Sequence, residues 1–588
     1  MSKPIKQKLF LLLALVTGLL IVSCQAPTET VEVTRIVEEQ VEVEVTRVIT
    51  ETIVEEGETI EVTRIVTEIE EVEVPVEMDI RYGGTLLVGY SQDLTSLDPP
   101  KAWSTMDWGT AAQLLYNGVY VFDEDNNLSP DLADGMPEIS EDGRTYTIHL
   151  KEGIMFHNGR EFVADDVKYS LERNARPDSG TWNASAPLSN IVGGQAVIDG
   201  EADTAEGIVV VDDHTIQFNL VEPDAYFITS FTLVTNFIVP REAVEEHGED
   251  YSFNPVGTGP FMMQEWVPGE RVIFVRNPDY FVEDWPYLDE IVYELGADPE
   301  VSLLRYERGE IDVIADGVPS GEIGRVATVP VLRDQFLNTN TYLTAFLGFN
   351  LEAPPFDNPD VRKAIAMAVD RERLVQLASG TAVPSYDWFP ASHYPCNAGV
   401  GNNPYPFDPA AAQQLLADAG YADGIEVESW FRVVRPWLSR IPEAVQQDLA
   451  AIGVNVELLQ LEASVATEMI VSGEMPFYLH GYGSSFPDPF NYGTELFQTG
   501  STYADRWRYS NPDVDALVAE ARQDTNPDTR CEKWLQVQEI LMEDLPGIPL
   551  LVVGYPDLRS PRIQNFVYNH TYHRPYYDRI WIAPEDRR

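Results

Sequence analysis

Residues 480–493 read HGYGSSFPDPFNYG, a stretch that gathers aromatic rings, glycines, two serines and two prolines around a single acid, Asp488. Rings and hydroxyls at this density suit a wall against which a small molecule packs while a few polar groups fix its orientation. His480 borders the stretch and reads either as a donor into such a site or as a polar strand-end residue. Groups that would make or break bonds are harder to find. The chain has no G-x-S-x-G elbow, no G-x-x-x-x-G-K-[ST] phosphate loop, no H-E-x-x-H and no C-x-x-C. GTGPFM, at 257–262, lacks the third glycine of a dinucleotide loop. Asp165 and Asp166 form a carboxylate pair, but among 96 acids such pairs arise by chance. This pair also heads an expected helix, where negative charge is favourable. His570 and His573 stand three apart without a carboxylate or cysteine at ligand spacing, so no metal and no cofactor are expected. The residues point to binding rather than catalysis, with a secreted hydrolase as the weaker alternative.

The elements that must hold this loop begin with a long chain. At 588 residues, 44% apolar and 11% aromatic, it exceeds one ordinary core and is expected to form two or more lobes. A net charge of -57 speaks against nucleic acid or an anionic lipid surface as partner, since both need a basic face. Lys3, Lys6 and Lys8 precede an apolar run from Leu9 to Val22, the size of a signal-peptide core and too short for a stop-transfer helix. The run ends in Ile21-Val22-Ser23-Cys24, which looks like a bacterial lipobox; residues 1–24 would then be removed up to Cys24, and two acyl chains on that cysteine would hold the protein stably on the membrane, facing outward.

Residues 25–79 hold 17 acids against three arginines and repeat VTRIV, VTRVI and VTRIV from Val33, Val45 and Val62. The Val-Glu alternation has strand periodicity, yet so charged a segment buries little, so a self-repelling, extended tether is expected. Pairing of such strands between neighbouring molecules is the alternative. Cys396 and Cys531 are the only other cysteines, and in an oxidising compartment they form either a disulfide or two buried thiols.

From Tyr82 onward strands and helices alternate. DGRTYTIHLKEG reads as a strand with Tyr146, Ile148 and Leu150 on one face, after a turn at Asp142-Gly143. Asn358-Pro359, Asp408-Pro409 and Asn511-Pro512 each place a capping side chain before a proline suited to the first helical position. Gly380 and Gly420 are expected to close the first two of these helices.

The ordered set of motifs in this body resembles the family 5 extracellular solute-binding proteins, the oligopeptide, dipeptide and nickel-binding lipoproteins of ABC importers. GGTLLVGYSQDLTSLDP (83–99) looks like their first strand and loop, and LSPDLADGMPEISEDGRTYTIHLKEGIMFHNGREFVADDVKYSLER (128–173) is similar to their most recognisable block. GTGPF, RNPDYF, VRKAIAMAVDRERLV, LLADAGY, YSNPDVDALVAEAR and QEILMEDLPGIPLL follow in the family's order. Val163 departs from the Ser or Thr usual before ADDV, which leaves that helix start without its hydroxyl cap.

The resemblance implies an α/β, two-lobed, periplasmic-binding-protein-like clamp of class II type, with an extra subdomain in lobe I and the ligand cleft between lobes. Lobe I is expected over 82–340, lobe II over 341–545, and a C-terminal return to lobe I over 546–588, with crossings near 340–350 and 546–554. It implies a monomeric, lipid-anchored, extracytoplasmic protein that closes on a small solute, peptide or oligosaccharide, and delivers it to ABC permease subunits. Presentation of the ligand to a sensor is the alternative.

Peptide-binding members read roughly G-W-x-x-D-Y-x-x-P in the loop that opened this section, and the acid faces the peptide's ammonium. Aligning Gly481 and Pro489 puts Tyr482 at the stacking Trp, Phe486 at the Tyr and Ser485 at the acid. Ser485 lacks the charge that would hold a buried ammonium. The alignment therefore implies a neutral-ended or hydroxyl-rich group at this subsite, from a carbohydrate or from a peptide anchored elsewhere. Asp488 is the remaining acid, but Pro487 and Pro489 restrict its backbone and a turn role competes with ligand contact.

Overall fold

Local capping behaves as the sequence specifies. The side chains of Asn358, Asp408 and Asn511 accept backbone N–H groups from Asp360, from Ala411, and from Asp513 with Val514, each ahead of a first-turn proline. The first of these helices is shorter than Gly380 implied. Pro359–Ala368 stops, Asp370 caps a second helix, Arg371–Leu377, and Gly380 follows that one with φ +75°. An aspartate able to accept Arg373 N–H offers the backbone a new start, and the chain takes it. At the start of helix Ala164–Ala175, Val163 cannot cap with its side chain; Asp166 accepts the Val163 N–H at 2.9 Å instead.

The structure is a computed structural model and describes residues 34–55, 58–79, 81–102, 105–110, 114–181, 187–389, 403–432, 435–569 and 574–587, with the backbone alone over 34–79. Two compact units, 1–81 and 82–588, divide the chain. In the first, Thr34–Glu55 and Glu58–Asp79 pair antiparallel along their whole lengths, in a register that sets Val45 opposite Glu68, Thr46 opposite Thr67 and Ile49 opposite Arg64. The extended tether expected over 25–81 is thus, in its described part, a two-stranded ribbon. A segment rich in β-branched residues and alternating in polarity satisfies its backbone groups by pairing, and its own second half is the nearest partner.

The second unit holds three sheets that matter for the site. The first has five strands in the order Phe261–Val267, Arg271–Arg276, Glu290–Glu294, Thr85–Gly89 and Val313–Ile314, the last three parallel. The second has four, Glu138–Ile139, Thr145–His149, Thr215–Asn219 and Ile208–Asp212, all antiparallel. Tyr146 and Ile148 are buried in its core as their alternation predicts. The third has six, Ala382–Pro384, Gly547–Leu558, Phe336–Phe349, Phe477–Gly483, Ile425–Phe431 and Val454–Leu459.

The six-stranded sheet separates two cores. Ala345, Leu347, Phe349, Phe477 and Leu479 face an aliphatic one, while Phe346 and Tyr478 face a core rich in aromatics, including Trp388, Trp507 and Trp534. The segments 340–350 and 546–554, expected as crossings, run inside this sheet as adjacent strands paired from Phe336 opposite Leu558 to Gly348 opposite Gly547. The chain enters and leaves side by side, where Arg559 N–H donates to the Gln335 carbonyl at 3.0 Å. Among the described residues, no helix is long and apolar enough to cross a membrane.

Candidate functional site

The strand Phe477–Gly483 delivers the aromatic loop. Because side chains alternate, Tyr478, His480 and Tyr482 share one face of the strand, the side of the aromatic core. The strand ends where Gly483 pairs with Leu343, and Ser484 N–H then donates to the Tyr342 carbonyl at 3.0 Å. Beyond it the loop is held by its own side chains. Ser484 Oγ donates to the Phe486 carbonyl at 2.6 Å, and Asn491 Oδ1 accepts from the Tyr482 hydroxyl at 3.0 Å and from Ser485 N–H at 3.1 Å. Asp488 caps the short helix Pro489–Tyr492 by accepting Phe490 N–H at 2.9 Å.

Facing this loop, across a cavity of about 670 Å³, are residues from the region of the four-stranded sheet. Pro187, Ser189, Asp224, Phe227, Ser230 and Leu233 line that side; Tyr482, Ser485, Phe486, Asn491 and Glu495 line the other. Direct contacts join the two walls. Tyr226 stacks on Phe490 at 4.1 Å between ring centroids, nearly parallel, and its hydroxyl accepts from Trp534 Nε1 at 3.0 Å. Arg522 donates to Asp224 through two nitrogens, at 2.7 and 3.0 Å, and its carbonyl accepts Ala225 N–H at 2.8 Å. Phe486 is buried against Phe122 and Leu233. The volume falls within the range usual for small-molecule sites, and the lining matches their mixture of rings and few polar groups.

The electrostatics separate the loop's titratable groups by role. His480 is buried among Phe346, Trp430, Tyr478 and Tyr503. Arg432 donates to its Nε2 at 3.2 Å, which leaves the proton on Nδ1, and Nδ1 donates to the Gly481 carbonyl at 2.8 Å. Burial, then the charges of Arg432 and Arg506, hold its pKa down to about 3, so it is a neutral positioning residue behind the loop. It does not line the cavity. Asp488 is pushed up to about 6 by burial, against the pull of Phe490 N–H and of Arg530 at 3.9 Å. It too is absent from the cavity wall, and its cap bond gives it the turn role that its two prolines suggested.

Of the five loop residues singled out, the structure thus brings Tyr482, Ser485 and Phe486 to the cavity and sets His480 and Asp488 behind it. Cys24, Cys396, His570 and His573 lie outside the described residues, while Cys531 is half-buried on helix Pro527–Asp544. Among the described residues no group of His, Cys, Asp and Glu gathers at metal-binding distance. Asp166, read as one of a carboxylate pair, is gripped by both terminal nitrogens of Arg160. Sequence reasoning missed Asp224, Tyr226, Arg522 and Glu495. Asp224 and Tyr226 lie in a segment with no motif, Arg522 ends the motif YSNPDVDALVAEAR without any mark of its partner, and Glu495 stands two residues beyond Gly493.

Lobes built on separate sheets around an aromatic cleft make this a two-lobed clamp of the periplasmic-binding-protein type. The solved structure of clavulanic acid biosynthesis oligopeptide binding protein 2 superposes with a TM-score of 0.77 at 24% identity, covering 86% of this chain and 96% of that one. The family described as bacterial extracellular solute-binding proteins, family 5 Middle, matches residues 127–504, and the chain belongs to it. Relatives include the glutathione-binding protein GsiB of Salmonella typhimurium, 28% identical over 491 residues, 82% of this chain and 91% of that protein. Heme-binding protein A of Haemophilus influenzae is 28% identical over 480 residues, 78% and 85% of the two chains.

Proposed function

We propose that this protein is the membrane-anchored, extracytoplasmic capture component of an ABC importer, and that it holds a peptide-like or sugar-like solute in the cavity between Tyr482 and Phe227 before delivering it to permease subunits. The observation that carries the reading is that Tyr482, Ser485 and Phe486, aligned with ligand-facing positions of the family, line one wall of a cavity of about 670 Å³. Ser485 presents a hydroxyl where an acid would hold an ammonium, so this subsite takes a neutral or hydroxyl-bearing group. Relatives whose names print glutathione, heme and oligopeptide show how widely ligands vary on this fold.

Closure has a matching architecture. We place the two crossings at Gln335 and Arg559, whose backbones are hydrogen-bonded, which assigns the six-stranded-sheet segment 336–558 to lobe II and residues 82–335 and 559–588 to lobe I. Two adjacent strands entering one sheet form a hinge that rotates without breaking either core. Cys24 supplies the anchor, and a Cys24→Ala protein should lose incorporation of labelled fatty acid.

The test of the solute site is Gly483→Trp. Gly483 itself lines the cavity, and an added Cβ there meets only Leu343 Cδ1, at 3.8 Å, so a bulky ring can be introduced at the cavity wall. Native mass spectrometry of freshly purified protein should find a retained small molecule in the parent and none in the variant. Equal retention by both would remove the cavity from consideration.

A further inference from the structure

The cavity's charges are unevenly committed. Three ionisable groups of fixed sign line it, Asp224, Arg522 and Glu495. Asp224 and Arg522 satisfy each other, and Asp224 also accepts Tyr226 N–H at 3.0 Å. Glu495 is different. It sits on the π-helical turn Gly493–Phe497, its side chain is solvent-accessible within the cleft, and among the described residues no hydrogen bond or ion pair reaches its carboxylate. The neighbouring polar groups are occupied: Asn491 Oδ1 by Tyr482 and Ser485, and the Thr494 hydroxyl by the Phe490 carbonyl at 2.8 Å. Partial removal from water raises its pKa, and no cation lies near enough to lower it. The cavity that Glu495 lines also holds the rings of Tyr482, Phe486, Phe490 and Tyr226, whose faces attract positive charge.

Resting on the reading of this cavity as the solute site, we infer that Glu495 is its cation-recognising residue: the protein takes a peptide-like solute whose primary ammonium pairs with the Glu495 carboxylate, while the Ser485 side of the cavity holds an uncharged part of the same molecule. A carboxylate that is only partly withdrawn from water and has no protein partner among the described residues is free to pair with an ammonium brought in with the solute, which forms charge-assisted hydrogen bonds with it. Asp224 cannot do this, because Arg522 already saturates it. The ammonium is therefore read from the turn after the loop rather than from position 485.

The test offers protein, stripped of co-purified solute by unfolding and refolding, a pool of short peptides and the same pool with every amine acetylated, and counts retained peptides by native mass spectrometry. The parent should retain the free pool and not the acetylated one. Glu495→Gln, which keeps shape and loses charge, should retain about tenfold less or lower still, the loss expected for a hydrogen bond to a charged partner, with an unchanged melting temperature. Gly483→Trp should lose both pools. Retention by Glu495→Gln equal to the parent's, with Gly483→Trp empty, overturns the assignment of Glu495 alone. Retention of the acetylated pool by the parent, or of neither pool, overturns the ammonium itself. Undiminished retention by Gly483→Trp overturns the cavity as the site, and this inference with it.

Discussion

The two walls of the cleft are built in opposite ways. The wall carrying Tyr482, Ser485 and Phe486 is one continuous run, tied by bonds that span a few residues, such as Asn491 to Tyr482 and Ser484 to Phe486. The facing wall draws Pro187 from one segment and Asp224, Phe227 and Leu233 from another, and is fixed to its partner by contacts across about 300 residues, Asp224 to Arg522 and Tyr226 to Trp534. The first wall keeps its shape by local chemistry. The second is tied to residues far away in the chain, so under the proposed function it is where closure would be stabilised.

The contrast breaks most severely at Tyr226. Its ring is buried in the aromatic core of the six-stranded side while its backbone belongs to the other wall, so Tyr226→Ala should cost about 3–5 kcal/mol in urea unfolding and raise the radius of gyration measured by X-ray scattering. Arg522→Ala leaves the Asp224 carboxylate buried without its cation and should cost about 2–3 kcal/mol, with the same expansion. An Arg522→Ala protein as compact and stable as the parent would show that the walls do not need this pair.

On the loop wall the largest effect is one of pH. The folded pKa of His480, about 3, lies below the unfolded value near 6.5, so the unfolded chain binds the extra proton between them and stability falls as pH drops through that window. Each unit of the difference corresponds to about 1.4 kcal/mol. A His480→Phe protein should therefore lose less stability than the parent between pH 6.5 and pH 3, read by chemical denaturation. Smaller still, Tyr226→Phe removes the acceptor of Trp534 and the hydroxyl that bonds Asp488, and should cost about 1–2 kcal/mol. Ser485→Ala should change stability by less than about 0.5 kcal/mol, since its backbone N–H makes the bond to Asn491 and its side chain is replaceable.

How far each feature was legible follows from the same difference. The amino-acid sequence by itself determined the helix starts at Asn358, Asp408 and Asn511, the strand that buries Tyr146 and Ile148, the family and its clamp, and a loop whose rings reach a cavity. In each, residues that touch are close in the chain or recur in a fixed order, so type and spacing carry the information. For Asp488 it left ligand contact and a turn role in competition, and the cap bond to Phe490 N–H in the fold shows the turn role. It did not reveal that strands 34–55 and 58–79 pair with each other, since an alternating segment suits equally a strand in a ribbon and an extended tether. Only the tertiary structure decided that strands 336–349 and 547–558 are neighbours in one sheet, that His480 faces the aromatic core and not the cavity, and that Asp224 is paired with Arg522 while no such bond reaches Glu495 among the described residues. Whether a carboxylate is committed depends on which cation the fold brings within hydrogen-bonding reach, and with hundreds of residues between the partners no local pattern encodes that distance.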